Sequence, residues 1–144
     1  MTRLTGILTR LLGLKQRIGY LLRSRGGKMR ENEAYFRLVF ENSGDAILFA
    51  WPDGRIESAN PAASRIFGYS NEQFRTLGRS GIMDTSDPKF GEFLQERSRT
   101  GRYFGELRGI HRDGRIIDIE LNSTCFVDAK GDTRTINQFR NISD

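Results

Sequence analysis

The chain contains one histidine and one cysteine, and this scarcity limits the chemistry available to it. Cys125 alone cannot close an internal disulfide, and no pair of cysteines or histidines exists to hold zinc. It reads as a small buried side chain, inert rather than redox-active. His111 directly precedes Arg112-Asp113-Gly114, which places it at a turn and predicts solvent exposure rather than ligation. Asp53, Asp113 and Asp132 each adjoin a glycine and read as turn formers in preference to metal ligands. No carboxylate pair, nucleophile–base set or phosphate-cradling glycine loop can be assembled, so an independent enzyme is the least supported class. An apolar set remains: Phe49, Phe67, Phe74, Met83, Phe93, Leu94, Ile119 and Leu121, with Cys125 expected beside them. These side chains either line a small-molecule cavity or fill a core, and both readings stay open. Trp51, beside Pro52, reads as packing on neighbouring loops rather than covering a ligand or partner surface.

The elements that must position these residues follow from turn chemistry and periodicity. Asp53-Gly54 separates Ala46–Trp51 from Arg55–Ala59, and Asp113-Gly114 separates Tyr103–His111 from Arg115–Val127. Lys130-Gly131-Asp132 divides that long run from Thr133–Arg140. Asp-Gly between β-competent runs signals a hairpin, because its tight turn needs a positive φ that glycine adopts freely. About five antiparallel strands result. Ile117, Ile119 and Leu121 alternate with Asp118, Glu120 and Asn122, a half-buried pattern that also assigns Ser123, Cys125 and Val127 to the buried side. Ile136 and Phe139 fall on opposite faces of the last strand, which calls for a bulge or a second apolar contact on the outer face.

Helices are expected before and between the strands. Glu31–Glu41 places Ala34, Tyr35, Leu38 and Val39 on one face and ends near Asn42-Ser43-Gly44. Asn60-Pro61 opens a helix stopped by Gly68, with Ala62, Ile66 and Phe67 inward. Ser70 and Gln73 have capping-box spacing and start a short helix running to Gly78. Asp87-Pro88 opens a third, carrying Phe90, Phe93 and Leu94 to Gly101. Two strands, short helices, then three strands define an α+β domain whose helices cross one face of an antiparallel sheet.

Charge divides the chain. Residues 1–30 carry eight basic side chains and no acidic one, whereas residues 31–144 hold 15 basic against 18 acidic and carry −3. We therefore expect a basic amphipathic helical leader or linker, 1–30, ahead of a domain, 31–144. Nucleic-acid binding by the domain is disfavoured, because a basic binding face would spread over the fold. Leu4, Ile7, Leu11, Leu14, Ile18 and Leu21 form one helical stripe, widened by Leu8, Leu12 and Leu22, and Gly26-Gly27 reads as its stop and hinge. Three readings of this leader compete: a self-pairing coiled coil, a membrane-surface helix through residues 1–28, and a linker helix packed on protein. No apolar run reaches the roughly 18–20 residues that cross a bilayer. With a single cysteine, the reducing cytoplasm is the expected compartment.

The same order of elements, with these residues, resembles the PAS domain family. Phe40-Glu41-Asn42-Ser43-Gly44-Asp45-Ala46-Ile47 is similar to the family's entry into its first strand. Pro52-Asp53-Gly54-Arg55-Ile56 resembles the first hairpin, and Asn60-Pro61-Ala62-Ala63 with Phe67-Gly68-Tyr69-Ser70 resembles the segment after the second strand. His111-Arg112-Asp113-Gly114 looks like the hairpin before the fourth strand. Arg140-Asn141-Ile142-Ser143 resembles the exit motif, usually Asp-Ile-Thr, that leads into a signalling helix. The match covers about residues 32–144. It implies a five-stranded antiparallel sheet with short helices on one face, and a sensory or dimerisation module of bacterial two-component or cyclic-dinucleotide signalling. Homodimerisation, a downstream output domain or partner protein, and a small-molecule ligand of unknown identity are implied with it. Within the family, haem-ligating histidines come from the helix here at about Lys89–Thr100, which has none, and photoreactive flavin members carry an Asn-Cys-Arg motif absent here. Histidine-ligated haem and photoreactive flavin are therefore not expected. Fold alone does not fix function, so a ligand-free dimerisation or adaptor module stands as the alternative to a sensor.

Overall fold

A computed structural model describes residues 26–143, with side chains from residue 31 onward. By the pattern of internal contacts the chain forms two units, residues 1–43 and 44–144. The first contains helix α1, Gly26–Asn42, in which Phe36 and Phe40 stack with ring centroids 6.1 Å apart, as an i,i+4 pair should. Gly26 and Gly27 are the first two described residues of this helix, since glycine raises the cost of a helical turn without forbidding it. The expected stripe from Leu4 to Leu22 lies outside the described residues.

The second unit is an α+β domain. Strands β1 (Ala46–Ala50) and β2 (Ile56–Ala59) precede helices α2 (Pro61–Phe67), α3 (Asn71–Leu77) and α4 (Pro88–Thr100), with a 3-10 turn at Arg79–Gly81. Strands β3 (Arg102–Ile110), β4 (Ile116–Val127) and β5 (Thr133–Asn141) follow. The sheet is antiparallel throughout in the order β2-β1-β5-β4-β3, which puts the last strand in the centre beside the first. The hairpin turns behave as their chemistry requires. In all three an Asp carboxylate accepts the amide two residues on, Asp53 from Arg55 at 3.0 Å, Asp113 from Arg115 at 2.9 Å and Asp128 from Lys130 at 2.9 Å, around Gly54, Gly114 and Gly131 at φ 100°, 93° and 85°.

Local signals fix the helix ends. Ser70 and Gln73 form a reciprocal capping box, and Asp87 caps α4 through the Lys89 amide. Asn60 does more than cap α2. Its buried Oδ1 accepts from the amides of Ala63 (3.0 Å) and Ile47 (2.9 Å), while Nδ2 donates to the Asp45 carbonyl (3.0 Å). One side chain thus locks the first helix to the first strand. The core lies between the helices and one face of the sheet. Phe67, Phe74, Met83 and Phe93 meet Leu48, Leu107, Ile119, Leu121 and Phe139 there. Phe67 stands edge-on to both Phe74 and Phe139, an arrangement favoured by the ring quadrupole.

The last strand needs no bulge. β5 pairs in unbroken register with β1 and β4, and the irregularity lies between β1 and β2 at Phe49/Ala50. Ile136 and Phe139 are both buried on opposite faces, with Ile136 directly across from Phe49. The alternation expected for β4 also stops early: Ser123 is buried, Cys125 is half-buried and Val127 is exposed. The cause is that β3 begins at Arg102 opposite Thr124 and α4 ends at Thr100, so residues 125–127 outrun both neighbours.

Candidate ligand-binding site

The Pro52 carbonyl, just past β1, accepts from two guanidinium groups: Arg97 Nη2 at 3.0 Å and Arg79 Nη1 at 3.1 Å. Arg79 opens the 3-10 turn, and its amide is held by the Gly54 carbonyl at 2.8 Å. Arg97 sits in the last turn of α4 and is only 5% exposed. It reaches the interior because it follows Phe93 by one helical turn, and its guanidinium stands 4.7 Å from the Phe93 ring centroid. Its Nη1 donates to Ser123 Oγ (3.2 Å), and the Ser123 hydroxyl donates to Asn137 Oδ1 (2.7 Å). Asn137 Nδ2 in turn donates to Thr135 Oγ1 (3.0 Å) and the Leu48 carbonyl (3.3 Å). A chain of polar groups therefore runs from α4 through β4 to β5 inside the core.

Beside this chain lies a cavity of about 30 Å³, walled by Leu48, Ile56, Met83, Phe93, Leu121 and Phe139 and by Arg79, Arg97, Thr135 and Asn137. Among its lining residues only Trp51 and Arg79 are partly exposed, and they mark its mouth. Trp51 is held between the Arg55 and Arg134 guanidinium groups, 4.7 and 4.1 Å from its ring centroid, and Arg134 is ion-paired with Glu57 and Asp128. Trp51 thus packs on its neighbours and borders the cavity at once. By contrast, neither Arg79 nor Arg97 has a carboxylate within ion-pair distance among the described residues. Burial pulls both below the ordinary arginine value. At Arg97 the Arg79 charge adds to burial and Cys125 opposes it, while Asp53 opposes the effect at Arg79. Both stay cationic at neutral pH, because an arginine must fall by several units to lose its proton.

Of the apolar set expected to converge, Met83, Phe93 and Leu121 line this cavity. Phe67, Phe74 and Ile119 belong to the surrounding core, and Leu94 packs against it partly buried. Phe49 points to the other face of the sheet, where its ring meets Phe126 edge-on at 6.4 Å, because β1 offers Leu48 and Ala50 to the cavity and alternation sends Phe49 away. Cys125 does not line it. His111 is not a solvated tip residue: its side chain is 19% exposed, Nδ1 accepts the Asp113 amide at 3.1 Å, and the ring lies against Gly68. A Cβ at position 68 would sit 2.8 Å from the imidazole, so the glycine makes room for it. The polar residues Arg79, Arg97, Ser123, Thr135 and Asn137 were not anticipated. The available signals were the Phe93–Arg97 spacing and, for Ser123, the β4 alternation.

The exit segment follows from β5. Arg140 and Asn141 pair with Glu120 and Ile119 of β4. The Ile142 amide donates to the Asp118 carbonyl (2.9 Å), and the Asp118 amide donates to Ser143 Oγ (2.8 Å). Asn141 Oδ1 accepts the Ser143 amide at 2.9 Å, closing a small side-chain turn.

The fold defines a domain class that comparison confirms. The family model described as PAS domain matches residues 44–144, and the chain belongs to that family. PAS domains are typically sensory, non-catalytic modules. The PAS domain of a protein from Colwellia psychrerythraea superposes with a TM-score of 0.68 at 23% identity, over 76% of this chain and 96% of that one. The PAS domain of an HTR-like protein from Haloarcula marismortui gives 0.67 at 22% identity, over 83% and 99%. A domain of a sensory box sensor histidine kinase/response regulator from Geobacter sulfurreducens gives 0.64 at 21%, over 82% and 99%. No curated protein matches the chain. Among the described residues no helix is long and apolar enough to cross a membrane.

Proposed function

We propose that this PAS domain is a sensory module of a signalling protein that detects a small molecule in the cavity beside Arg97 and relays its presence to an output domain. One observation carries the reading: β5 supplies Thr135, Asn137 and Phe139 to the cavity and runs without interruption into Arg140–Ser143. A ligand that repacks Asn137 acts on the same strand whose end is stitched to Asp118. The signal is then a shift between two arrangements of β5 and its exit, biased by occupancy. Structural likeness to domains of sensor histidine kinases supports this role, and a homodimer, in which paired outputs respond together, is part of the same proposal.

Amide hydrogen exchange tests the relay. Asn137→Ala should change exchange at the Ile142 amide several-fold. A core variant on α3, Phe74→Leu, chosen for a similar loss of global stability, should leave the exit altered only in proportion to that loss. Equal exit behaviour in the two variants would remove the relay and favour the ligand-free adaptor module.

A further inference from the structure

Burying a cation without an anion is costly, and folded proteins normally pair it or neutralise it. Arg97 is 95% removed from solvent, yet its hydrogen-bond acceptors are a hydroxyl and a backbone carbonyl, both neutral. Arg79 stands at the cavity mouth with the same carbonyl as its acceptor, so two positive groups share one neutral partner. The nearby Asp53 carboxylate is engaged by Arg55 at 2.9 Å and is turned to the exposed hairpin. Thr135 adds a donor: its oxygen accepts from Asn137, and its own proton has no acceptor among the described residues. The space available is small. About 30 Å³ limits any occupant to a handful of heavy atoms. The rest of the wall is aliphatic and aromatic.

We infer that the cavity takes a short-chain monocarboxylate, its carboxylate held by Arg97 with Arg79 and Thr135 and its alkyl end against Met83, Phe93 and Leu121. The guanidinium presents parallel N–H donors that match the two oxygens of such a group. A monoanion with an apolar tail suits this site better than phosphate or sulfate, which would leave several oxygens facing hydrocarbon. The inference rests on the sensory reading of the cavity and names the class of molecule sensed.

The test uses the full chain and two isosteric probes, propionate and the neutral propionamide, each titrated at pH 7 while amide and Arg97 Nε–Hε signals are followed by NMR. Propionate should bind at least tenfold tighter than propionamide and shift the signals of Arg97, Thr135 and Asn137. Arg97→Met, a substitution that removes the charge and keeps the bulk, should weaken propionate at least tenfold and leave propionamide within about twofold, whereas Arg99→Gln on the exposed side of α4 should change neither. The comparison of probes on the unaltered protein stands even where Arg97→Met fails to fold. Equal binding of both probes, sulfate or phosphate outcompeting propionate, or no shifts in the cavity would overturn the inference. Its failure is separable from failure of the sensory reading: propionamide binding alone with a shifted Ile142 amide keeps the sensor and removes the anion. Tight propionate binding with an unmoved exit keeps the anion and removes the relay.

Discussion

At the scale of single residues, polar side chains hold the domain's geometry, and two of them make their own predictions. Asn60 satisfies two buried amides and one carbonyl. Asn60→Ala removes a helix cap and leaves the Ile47 amide without its partner, so it should cost about 2–4 kcal/mol. Urea unfolding with an unchanged m-value would show it. Asp113, by contrast, is fully exposed and acts through charge. The Arg115 amide holds its carboxyl below the ordinary 3.8, with the Arg115 side chain assisting. A depressed carboxyl contributes stability that is complete above its unfolded value and is lost as pH falls through its folded value. Asp113→Asn should therefore be less stable than the parent near neutrality, and the gap should close as unfolding is followed from about pH 7 down to about pH 3. A gap that widens with acid would contradict this assignment. At Arg97 the same reasoning has no carboxylate to work with, which is why its partner is sought in a ligand. Of the candidate site, the apolar walls at Met83, Phe93 and Leu121 were legible, because large apolar side chains on the buried stripe converge by necessity. Arg97 and Asn137 were not, since an arginine or asparagine is exposed by default and only the final packing shows which one is not.

At the scale of elements, turns and caps carried most of the sequence information. The Asp-Gly pairs, the Ser70–Gln73 box and Asp87-Pro88 are local signals, and each appears where its chemistry places it. The order of strands is a different matter. β5 lies between β1 and β4, a contact across nearly ninety residues that no local pattern encodes and that the sequence alone left unassigned. The burial expected at Cys125 and Val127 was misjudged for a related reason: alternation describes a segment in isolation, while its neighbours decide where burial stops. Two glycines separate backbone strain from site geometry. Gly114 at φ 93° faces open space, so Gly114→Ala should cost only the strain of its turn, on the order of 1 kcal/mol. Gly54 at φ 100° has the Arg79 guanidinium 3.0 Å from where a Cβ would stand. Gly54→Ala should add displacement of Arg79, and the Trp51 fluorescence at the cavity mouth should change in that variant alone.

At the scale of the whole molecule, a cavity walled by α4, the segment from Arg79 to Met83 and the sheet places its polar side on the strand that ends the domain. This makes β5 both wall and output. Phe67 packs edge-on against Phe74 and Phe139 at the meeting of α2, α3 and β5, so Phe67→Ala should cost about 3–5 kcal/mol and, measured by thermal unfolding, lower the midpoint of the whole domain in one transition. The most direct test of the central claim, that this domain senses a small molecule, is mass spectrometry of natively purified protein under native and denaturing conditions, with an absorbance spectrum of the same sample. The account predicts whole multiples of the 16.5 kDa subunit, two for the dimer, plus a small mass that departs on denaturation or that propionate restores after exhaustive dialysis. Subunit masses alone, unchanged by propionate or propionamide and without a visible absorbance band, would contradict it and leave a domain whose work is assembly.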